Sequence, residues 1–210
     1  MDLKYKVKQI TKLYESCSEC GLPTINCICN SVVKIKTNAK IWILSTEREF
    51  SRPSNTARLI KLINPDSTEL ILWERTKAPE KLIEYINSEE YEIYILFPTE
   101  DSELLKRKVQ NENSGKITAF IILDGTWKEA SKILRKSEYL KNLPKISLDP
   151  IHKSEYTLRR GASEGELCTM EAAIEVLKLN CETEKAQVAK NTFDLFLKSF
   201  KAGISGLPLK

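Results

Sequence analysis

Apolar runs and amphipathic segments alternate along most of the chain. Nearly continuous apolar runs of strand length predict five strands, at 39–46, 68–75, 92–98, 116–123 and 145–148. Apolar residues at helical spacing predict helices within 52–64, 79–91, 126–140, 169–179 and 184–200. Strands that are apolar throughout and alternate with helices are typical of a parallel sheet covered on both faces. We therefore expect an α/β fold whose ligands bind beyond the carboxyl ends of the strands.

Local signals refine the helices nearest the N-terminus. The first sixteen residues carry an apolar stripe at helical spacing, formed by Leu3, Val7, Ile10 and Leu13 or Tyr14. This stripe predicts a surface helix, and the alternative for so lysine-rich a segment is a basic arm that binds nucleic acid. In the helix predicted within 52–64, Ser54 or Asn55 is the expected N-cap, because their side chains accept from the first free amides.

Bulk properties narrow the class of protein. The chain has 210 residues, of which 41% are hydrophobic and 30% charged, enough for one compact domain with a small appendage. No apolar run is long enough to cross a bilayer, and the first residues lack the apolar core of a secretory signal, so we expect a cytoplasmic protein with no membrane partner. A net charge of +4 permits a polyanionic partner without requiring one. The single histidine, His152, excludes HExxH peptidases and multi-histidine metal sites.

Four of the six cysteines crowd into the segment CSECGLPTINCIC, at Cys17, Cys20, Cys27 and Cys29. Four thiolates can close a tetrahedral zinc site with no open coordination position, so we expect a structural Zn²⁺ in a small knuckle. An iron–sulfur cluster and four unrelated buried cysteines are the alternatives, and the expected compartment argues against disulfides. The remaining cysteines, Cys168 and Cys181, are expected to act as small apolar residues.

The run at 116–123 ends in the sequence Asp124-Gly125-Thr126-Trp127, at the edge of the sheet where ligands are expected. Gly125 lets a ligand approach the backbone, Thr126 can cap the next helix, and Trp127 offers a flat aromatic face. A plain strand–turn–helix junction, with the aspartate in a turn and the tryptophan in the core, explains the same four residues. The pattern alone favours that simpler interpretation.

The helix that follows is basic along one side. Lys128, Lys132, Arg135 and Lys136 recur at spacings that bring them onto one face, opposite Ala130 and Ile133. A solvated face is the ordinary meaning of such a stripe. Because it begins beside the strand end, a surface that binds phosphates is the alternative.

Five segments in this order carry a resemblance to a known family: CSECGLPTINCIC, STEREFSRPSNTARLIKLI, LFPTEDS, ILDGTWKEASKILRKSEYLKNLP and YTLRRGASEGELCTMEAAIEVL. Together they resemble the DTW-domain family of tRNA-uridine aminocarboxypropyltransferases, from Cys17 to about Leu179. The resemblance implies a SPOUT-like α/β fold with a C-terminal trefoil knot. It also implies S-adenosylmethionine as donor, tRNA as partner, and transfer of the 3-amino-3-carboxypropyl group to N3 of a uridine with release of methylthioadenosine. We expect residues 1–36 to form an N-terminal helix and zinc knuckle, and residues 37–210 the catalytic domain.

The site residues follow from the resemblance and from the strand ends. The family's Asp-x-Thr-Trp falls on Asp124, Thr126 and Trp127, which are the expected catalytic residues. Asp124 is expected to take the N3 proton or to hold the donor's ammonium group, and Trp127 to stack on the uracil or to form a wall of the pocket. The expected donor-binding residues are Phe97, Pro98, Asp124, Gly125, Leu148, Leu158, Cys168 and Thr169. The expected RNA-binding residues are Arg58, Lys128, Lys132, Arg135, Arg159 and Arg160, where the arginines alternatively hold the donor's carboxylate.

Three other functions remain open at this point. A methyltransferase on the same fold would use the same donor, and a sibling transferase would act on ribosomal RNA. A zinc-stabilised RNA-binding protein would have no catalytic activity. The absence of a glycine-rich fingerprint after the first strand argues against a Rossmann-type donor site. The sequence leaves the oligomeric state open between monomer and homodimer.

Overall fold

The computed structural model describes residues 6–99, 115–148, 154–156, 158 and 167–209, together with the backbone of 103–104. Six parallel strands form one sheet in the order β2-β1-β5-β3-β6-β4. The strands are β1 (Lys40–Ser45), β2 (Thr68–Leu72), β3 (Tyr91–Leu96), β4 (Glu103–Leu104), β5 (Ile117–Leu123) and β6 (Lys145–Ser147). The five predicted strands are confirmed, and the two-residue edge strand β4 was not predicted.

Six α-helices accompany the sheet in the described part of the chain. They are α1 (Glu47–Phe50), α2 (Ala57–Ile63), α3 (Glu80–Asn87), α4 (Trp127–Lys136), α5 (Thr169–Leu179) and α6 (Thr183–Ile204). The five predicted helices of the α/β unit are confirmed, whereas the single turn α1 was not predicted. Short 3-10 helices occupy Thr24–Asn26 and Glu138–Leu140.

Helices cover both faces of the sheet, as the continuous apolar strands predicted. Alternate residues of β1 point to opposite faces, so Ile41 and Ile43 pack with apolar residues of α2, α5 and α6. Trp42 and Leu44 pack with residues of α3 and α4 on the other face. The indole of Trp42 stacks on the Tyr85 ring with centroids 4.5 Å apart. An α/β sheet buried on both faces therefore carries the core.

The predicted N-terminal helix is wrong for residues 6–16, which form no helix. Val7 is buried, and the amide of Lys8 donates to the carbonyl of Ser51 over 2.9 Å. Ser16 forms an antiparallel bridge with Pro23, next to the cysteine segment. The segment satisfies its backbone groups on the rest of the protein, and these contacts outweigh a helix that would be marginal at this length in isolation. Residues 1–5 lie outside the described part.

The predicted N-cap of α2 is also wrong. Thr56 occupies the N-cap position, and its side chain makes no capping hydrogen bond. Neither Ser54 nor Asn55 caps the helix, because Asn55 directs its amide towards Asp124 at the end of β5. The prediction for α4 is confirmed, since Thr126 is its N-cap and accepts from the amide of Glu129.

The cysteine segment packs against the α/β unit. Cys20, Leu22 and Ile28 are buried in the same apolar cluster as residues of α2 and α6. The side-chain amide of Asn26 donates to the carbonyls of Ser199 and Leu207 over 3.2 and 2.9 Å. These contacts fix the segment to the C-terminal helix, whereas the predicted domain boundary at residue 36 stays a prediction. Within the described residues, no helix has the length and apolarity needed to span a bilayer.

Candidate active site

A cavity of about 380 Å³ opens at the carboxyl ends of three neighbouring strands. Leu96 and Phe97 reach it from β3, Ile122 and Leu123 from β5, and the end of β6 adds residues 146–148. The first residues of α4 and α5, the segment from α1 to the N-cap of α2, and residues 156, 158 and 167 also contribute to the lining. This volume lies within the range of about 300–1,000 Å³ that is usual for small-molecule sites, and the position is the one expected for a parallel sheet.

Asp124 lines this cavity and is only 4% exposed. Its Oδ2 accepts hydrogen bonds from Oγ of Ser45 and from Nδ2 of Asn55, each over 2.7 Å. Its Oδ1 accepts a short hydrogen bond from the hydroxyl of Thr169. Three donors therefore occupy three of the roughly four acceptor sites of the carboxylate. Burial is compensated by these bonds, as a buried charge requires.

The register of the sheet brings these groups together. Leu44 pairs with Leu123 in adjacent parallel strands, and the amide of Asp124 donates to the carbonyl of Leu44 over 3.0 Å. Ser45 and Asp124 consequently end neighbouring strands side by side. Thr169 is the first residue of α5, so one carboxylate joins two strands to the start of a helix.

The turn after Asp124 depends on glycine. Gly125 has φ +145°, and a Cβ at this position would lie 3.0 Å from Cβ of Glu129. Thr126 and Glu129 then form a capping box, in which the Glu129 carboxylate accepts from the Thr126 amide over 2.8 Å. Burial acts to raise the pKa of Glu129, but the hydrogen bonds from Thr126 outweigh it, so this pKa lies below its ordinary value.

Trp127 lies at the rim of the cavity and is 37% exposed. Its ring centroid is 5.5 Å from that of Phe97. The interpretation of this tryptophan as a core residue is therefore wrong, because a large part of the indole faces solvent. An exposed aromatic face beside a cavity is suited to stacking on a flat ligand.

The structure brings most of the predicted site residues around this one cavity. All eight predicted donor-binding residues and all three predicted catalytic residues contribute to its lining, namely Phe97, Pro98, Asp124, Gly125, Thr126, Trp127, Leu148, Leu158, Cys168 and Thr169. Cys168 is buried beside the N-terminus of α5, and burial raises the pKa of its thiol, which keeps it neutral. Arg159 and Arg160 lie outside the described residues.

Arg58 does not take the predicted place at an RNA surface. It is 4% exposed, and its guanidinium donates to the carbonyls of Phe50, Arg52 and Ser18 over 2.6, 3.2 and 3.2 Å. Its guanidinium therefore joins the cysteine segment to the residues around α1. This placement speaks against a direct contact with an RNA phosphate or with the donor.

The basic stripe of α4 is exposed as predicted. Lys128, Lys132, Arg135 and Lys136 all face solvent, whereas Ala130 and Ile133 are buried. The stripe starts next to Trp127 and so runs away from the rim of the cavity. Its geometry fits both a solvated face and a phosphate-binding surface.

The prediction missed two charged residues of the cavity, Glu49 and Arg52. Glu49 is 5% exposed and forms an ion pair with Arg52. Burial and the nearby charge of Asp124 raise the pKa of Glu49, while Arg52 acts in the opposite direction. Asp124 directly follows the last residue of β5, whereas Glu49 lies within the short helix after β1, so the rule of strand ends pointed to its region but not to the residue. Tyr156 was missed as well; it lines the cavity, and its hydroxyl donates to the carbonyl of Ser54 over 2.7 Å.

The four clustered cysteines converge on one point. Their Sγ atoms, from Cys17, Cys20, Cys27 and Cys29, all lie within 4.8 Å of one another. The Cys17–Cys29 and Cys20–Cys27 separations are 3.7 and 3.8 Å. A tetrahedron with Zn–S bonds of about 2.3 Å has edges of about 3.8 Å, so the spacing fits a single metal ion. The interpretation as four unrelated buried cysteines is wrong.

Electrostatics within this cluster favour a bound cation. A hydrogen bond from Cys20 lowers the pKa of Cys17 to about 4. The bond to Cys17 and then burial raise the pKa of Cys20. Burial and neighbouring thiols raise the pKa of Cys29 to about 12. Without a cation these thiols share little negative charge, whereas a metal ion would stabilise four thiolates together.

A family model for the DTW domain matches residues 14–201. The chain belongs to the DTW-domain family. It is 26% identical over 168 residues to the protein named tRNA-uridine aminocarboxypropyltransferase 2 of Drosophila melanogaster. The aligned part covers 77% of this chain but 64% of that relative. No solved structure matches the chain.

Membership of the DTW-domain family confirms the resemblance seen in the sequence. The matched region contains the four cysteines, the strand end at Asp124 and the start of α5. The cavity and the cysteine cluster therefore both lie inside the family domain.

Proposed function

We propose that this DTW-domain protein is a tRNA-uridine aminocarboxypropyltransferase. It would transfer the 3-amino-3-carboxypropyl group of S-adenosylmethionine to N3 of a tRNA uridine and release methylthioadenosine. The observation that carries the proposal is the cavity at the strand ends, which gathers the family's Asp-x-Thr-Trp residues with Phe97 and Thr169. The name of the Drosophila relative supports the same reaction class.

The cavity offers complementary groups for each part of the donor. Leu96, Leu148 and Leu158 supply apolar contacts for the adenine and ribose edges. Arg52 provides a cation for the donor's carboxylate, and Asp124 a fixed anion for its ammonium group. Three hydrogen bonds from Ser45, Asn55 and Thr169 already fix the Asp124 carboxylate. We therefore assign Asp124 to holding and orienting S-adenosylmethionine rather than to taking a proton.

The exposed residues at the rim suit an RNA acceptor. A uridine that leaves its stack in a tRNA loop can stack on Trp127, and phosphates can follow the basic stripe of α4. The reaction needs N3 aligned with the carbon next to the sulfonium, and a rigid cavity with a bound donor provides this alignment. The sulfonium leaves as a neutral thioether.

The proposal also includes a structural metal site and a knotted fold. We infer that the four-cysteine cluster holds a structural Zn²⁺, because its spacing fits the metal and because it joins the N-terminal segment to α6. A SPOUT-like arrangement with a trefoil knot in the C-terminal part of the chain is proposed from the family. The crossing would involve the connections after β6, much of which lies outside the described residues.

One experiment tests the proposed reaction directly. Purified protein is incubated with unmodified tRNA and with S-adenosylmethionine labelled either in the carboxyl carbon or in the methyl group, and the nucleosides are analysed by mass spectrometry. We expect the carboxyl label in acp3U and the methyl label in free methylthioadenosine. Methyl label in the RNA would identify a methyltransferase, and modification of ribosomal RNA alone would identify the sibling transferase. An RNA affinity that does not change with S-adenosylmethionine, together with no modified nucleoside, would identify a non-catalytic RNA-binding protein.

A further inference from the structure

Two carboxylates line the described part of the cavity, and their surroundings differ. Asp124 accepts from Ser45, Asn55 and Thr169. Glu49 has an ion pair with Arg52, whose side chain is 32% exposed. These three fixed donors occupy three of the roughly four acceptor sites of the Asp124 carboxylate and leave little room for a further hydrogen bond from an acceptor uridine. Glu49 keeps more of its acceptor capacity for a ligand.

The surroundings of Glu49 raise the pKa of its carboxyl group. Burial is the largest influence that raises its pKa, and the Asp124 charge at the end of β5 adds to it. Arg52, in the turn after α1, acts in the opposite direction, and Glu129 on α4 raises the pKa further. A base works best when its pKa approaches the working pH, so Glu49 is the better placed of the two acids. The ion pair with Arg52 keeps enough of the ionised form available to accept a proton.

We propose that Glu49, and not Asp124, accepts the proton from N3 of the target uridine. This inference rests on the proposed transferase function and assigns one step of it. The assignment follows from the position of Glu49 in the cavity wall, its burial and its ion pair with Arg52, the one ion pair it makes within the described residues. Through this ion pair Arg52, which in the proposed function also faces the donor's carboxylate, orients the Glu49 carboxylate as a positioning residue.

The step balances without any further reactant. The N3–H bond breaks, and its proton goes to the Glu49 carboxylate while the electron pair stays on N3. N3 then forms a bond to the donor carbon, and the C–S bond breaks with its electron pair going to sulfur. The sulfonium becomes a neutral thioether, and Glu49 returns its proton to water when the product leaves.

The decisive test compares Glu49→Gln with Glu47→Gln, which removes an exposed carboxylate from the same helical turn. We expect Glu49→Gln to lower kcat by at least about 100-fold, the lower range for a general base. The dissociation constants of S-adenosylmethionine and tRNA, measured by calorimetry, should stay within about twofold of wild type for a group whose role is confined to proton transfer. Glu47→Gln should leave all three quantities unchanged.

A second arm separates proton transfer from a merely structural role. A tRNA that carries 5-fluorouridine presents a more acidic N3, which depends less on a base. The kcat defect of Glu49→Gln should therefore be at least about tenfold smaller on this substrate, as Brønsted behaviour requires. A structural defect would reduce kcat equally on both substrates. Should Glu49→Gln not fold, Glu49→Asp, whose shorter side chain leaves the carboxylate farther from N3, takes its place in the same comparison.

Each outcome decides the inference. A wild-type protein without transfer overturns the proposed function and this inference together. Active wild type with an unimpaired Glu49→Gln variant overturns this inference alone. A large rise in the donor's dissociation constant at unchanged kcat would assign Glu49 to donor binding and also overturn it, as would an equal defect on uridine and 5-fluorouridine.

Discussion

The side-chain amide of Asn55 donates to Oδ2 of Asp124 over 2.7 Å, across 69 residues of sequence. This bond ties the loop before α2 to the end of β5. Together with Ser45 and Thr169, it fixes a buried carboxylate at the point where the donor is proposed to bind. The charge of Asp124 is thus held in place before any ligand arrives, which is the preorganisation that binding sites use.

Asp124→Asn should weaken donor binding more than it weakens the fold. The new amide can keep its oxygen towards Ser45 and Asn55, and the hydroxyl of Thr169 can rotate to accept, so we expect a stability loss of about 1 kcal/mol. Losing a charge-assisted bond to the donor's ammonium should raise its dissociation constant about 10- to 100-fold. Calorimetry and initial rates measure both effects.

The matched control for this variant is Asp66→Asn, which removes an exposed carboxylate before β2. It should leave donor binding and transfer unchanged. Binding of tRNA should persist in both variants. If Asp124→Asn turned over at the wild-type rate with normal donor affinity, the proposed role of Asp124 in donor binding would be contradicted.

The basic stripe of α4 should act as a phosphate-binding surface. The affinity for tRNA falls with salt, and the slope of log affinity against log salt concentration reports the number of phosphate contacts. In the triple variant K128A/K132A/R135A, the magnitude of this slope should fall by about two to three, because each lost phosphate contact contributes up to about one. The rate at saturating tRNA should change little, since these residues lie on the exposed face of the helix. Filter binding over a salt series measures the slope.

A control for the stripe comes from α6, which contributes no residue to the described lining of the cavity. Lys198 and Lys201 are exposed there, and the K198A/K201A variant removes charge of the same sign. Its slope should equal that of wild type. Equal reductions of the slope in the α4 and α6 variants would mean that tRNA is attracted by the overall positive charge and that α4 carries no specific phosphate-binding surface.

Much of the fold was accessible from periodicity, because buried strands and amphipathic helices are local patterns. The strand at 116–123 and the helix from Thr169 to Leu179 show this, as each was predicted to within a residue. The helix prediction for the N-terminal segment was wrong because the conformation of this segment is not decided locally. Its apolar stripe has helical spacing, but the contacts that decide its conformation come from Ser51 and Pro23, which are distant partners.

The site was predictable where a residue ends a strand and less so elsewhere. Asp124 and Phe97 lie at strand ends, and family motifs supplied Thr169. Glu49 was missed because it sits in a four-residue helix that no periodicity reveals. Arg58 was misplaced because an arginine in an amphipathic helix gives no sign that backbone carbonyls of two other segments will surround it.

Loss of the metal site should destabilise the protein. Cys20 is fully buried in the cluster, and Cys20→Ser replaces one of four ligands. A metal present at 1,000 times its dissociation constant contributes about 4 kcal/mol to the folded state. Such a loss corresponds to a fall of roughly 10 °C in Tm for a chain of this size. Elemental analysis should find one zinc per wild-type chain and less in the variant.

Cys181→Ser serves as the control, because Cys181 is an exposed thiol outside the cluster. Its zinc content and Tm should match wild type. A chelator should lower the Tm of wild type to that of Cys20→Ser. Iron and labile sulfide in place of zinc, or no metal at all in both proteins, would contradict the assignment.

Glu49→Gln should gain stability at neutral pH while it loses activity. The folded-state pKa of Glu49 is raised, chiefly by burial and then by Asp124, so the folded protein binds its proton more tightly than the unfolded chain does. The stability linked to this proton is fully present below the unfolded pKa of about 4.3 and is lost as the pH rises through the folded pKa. Glutamine carries no charge and escapes this loss.

The Tm difference between Glu49→Gln and wild type should therefore grow from pH 4 to pH 8, in the variant's favour. Glu47→Gln, exposed on the same turn, is the reference for a surface carboxylate. Differential scanning calorimetry over this range measures the trend. A difference that shrinks as the pH rises would mean that Arg52 stabilises the ionised form more than burial and Asp124 oppose it, and Glu49 would then be a weak base. A rising difference combined with lost turnover would instead mark a buried charge that is retained for function at the expense of stability.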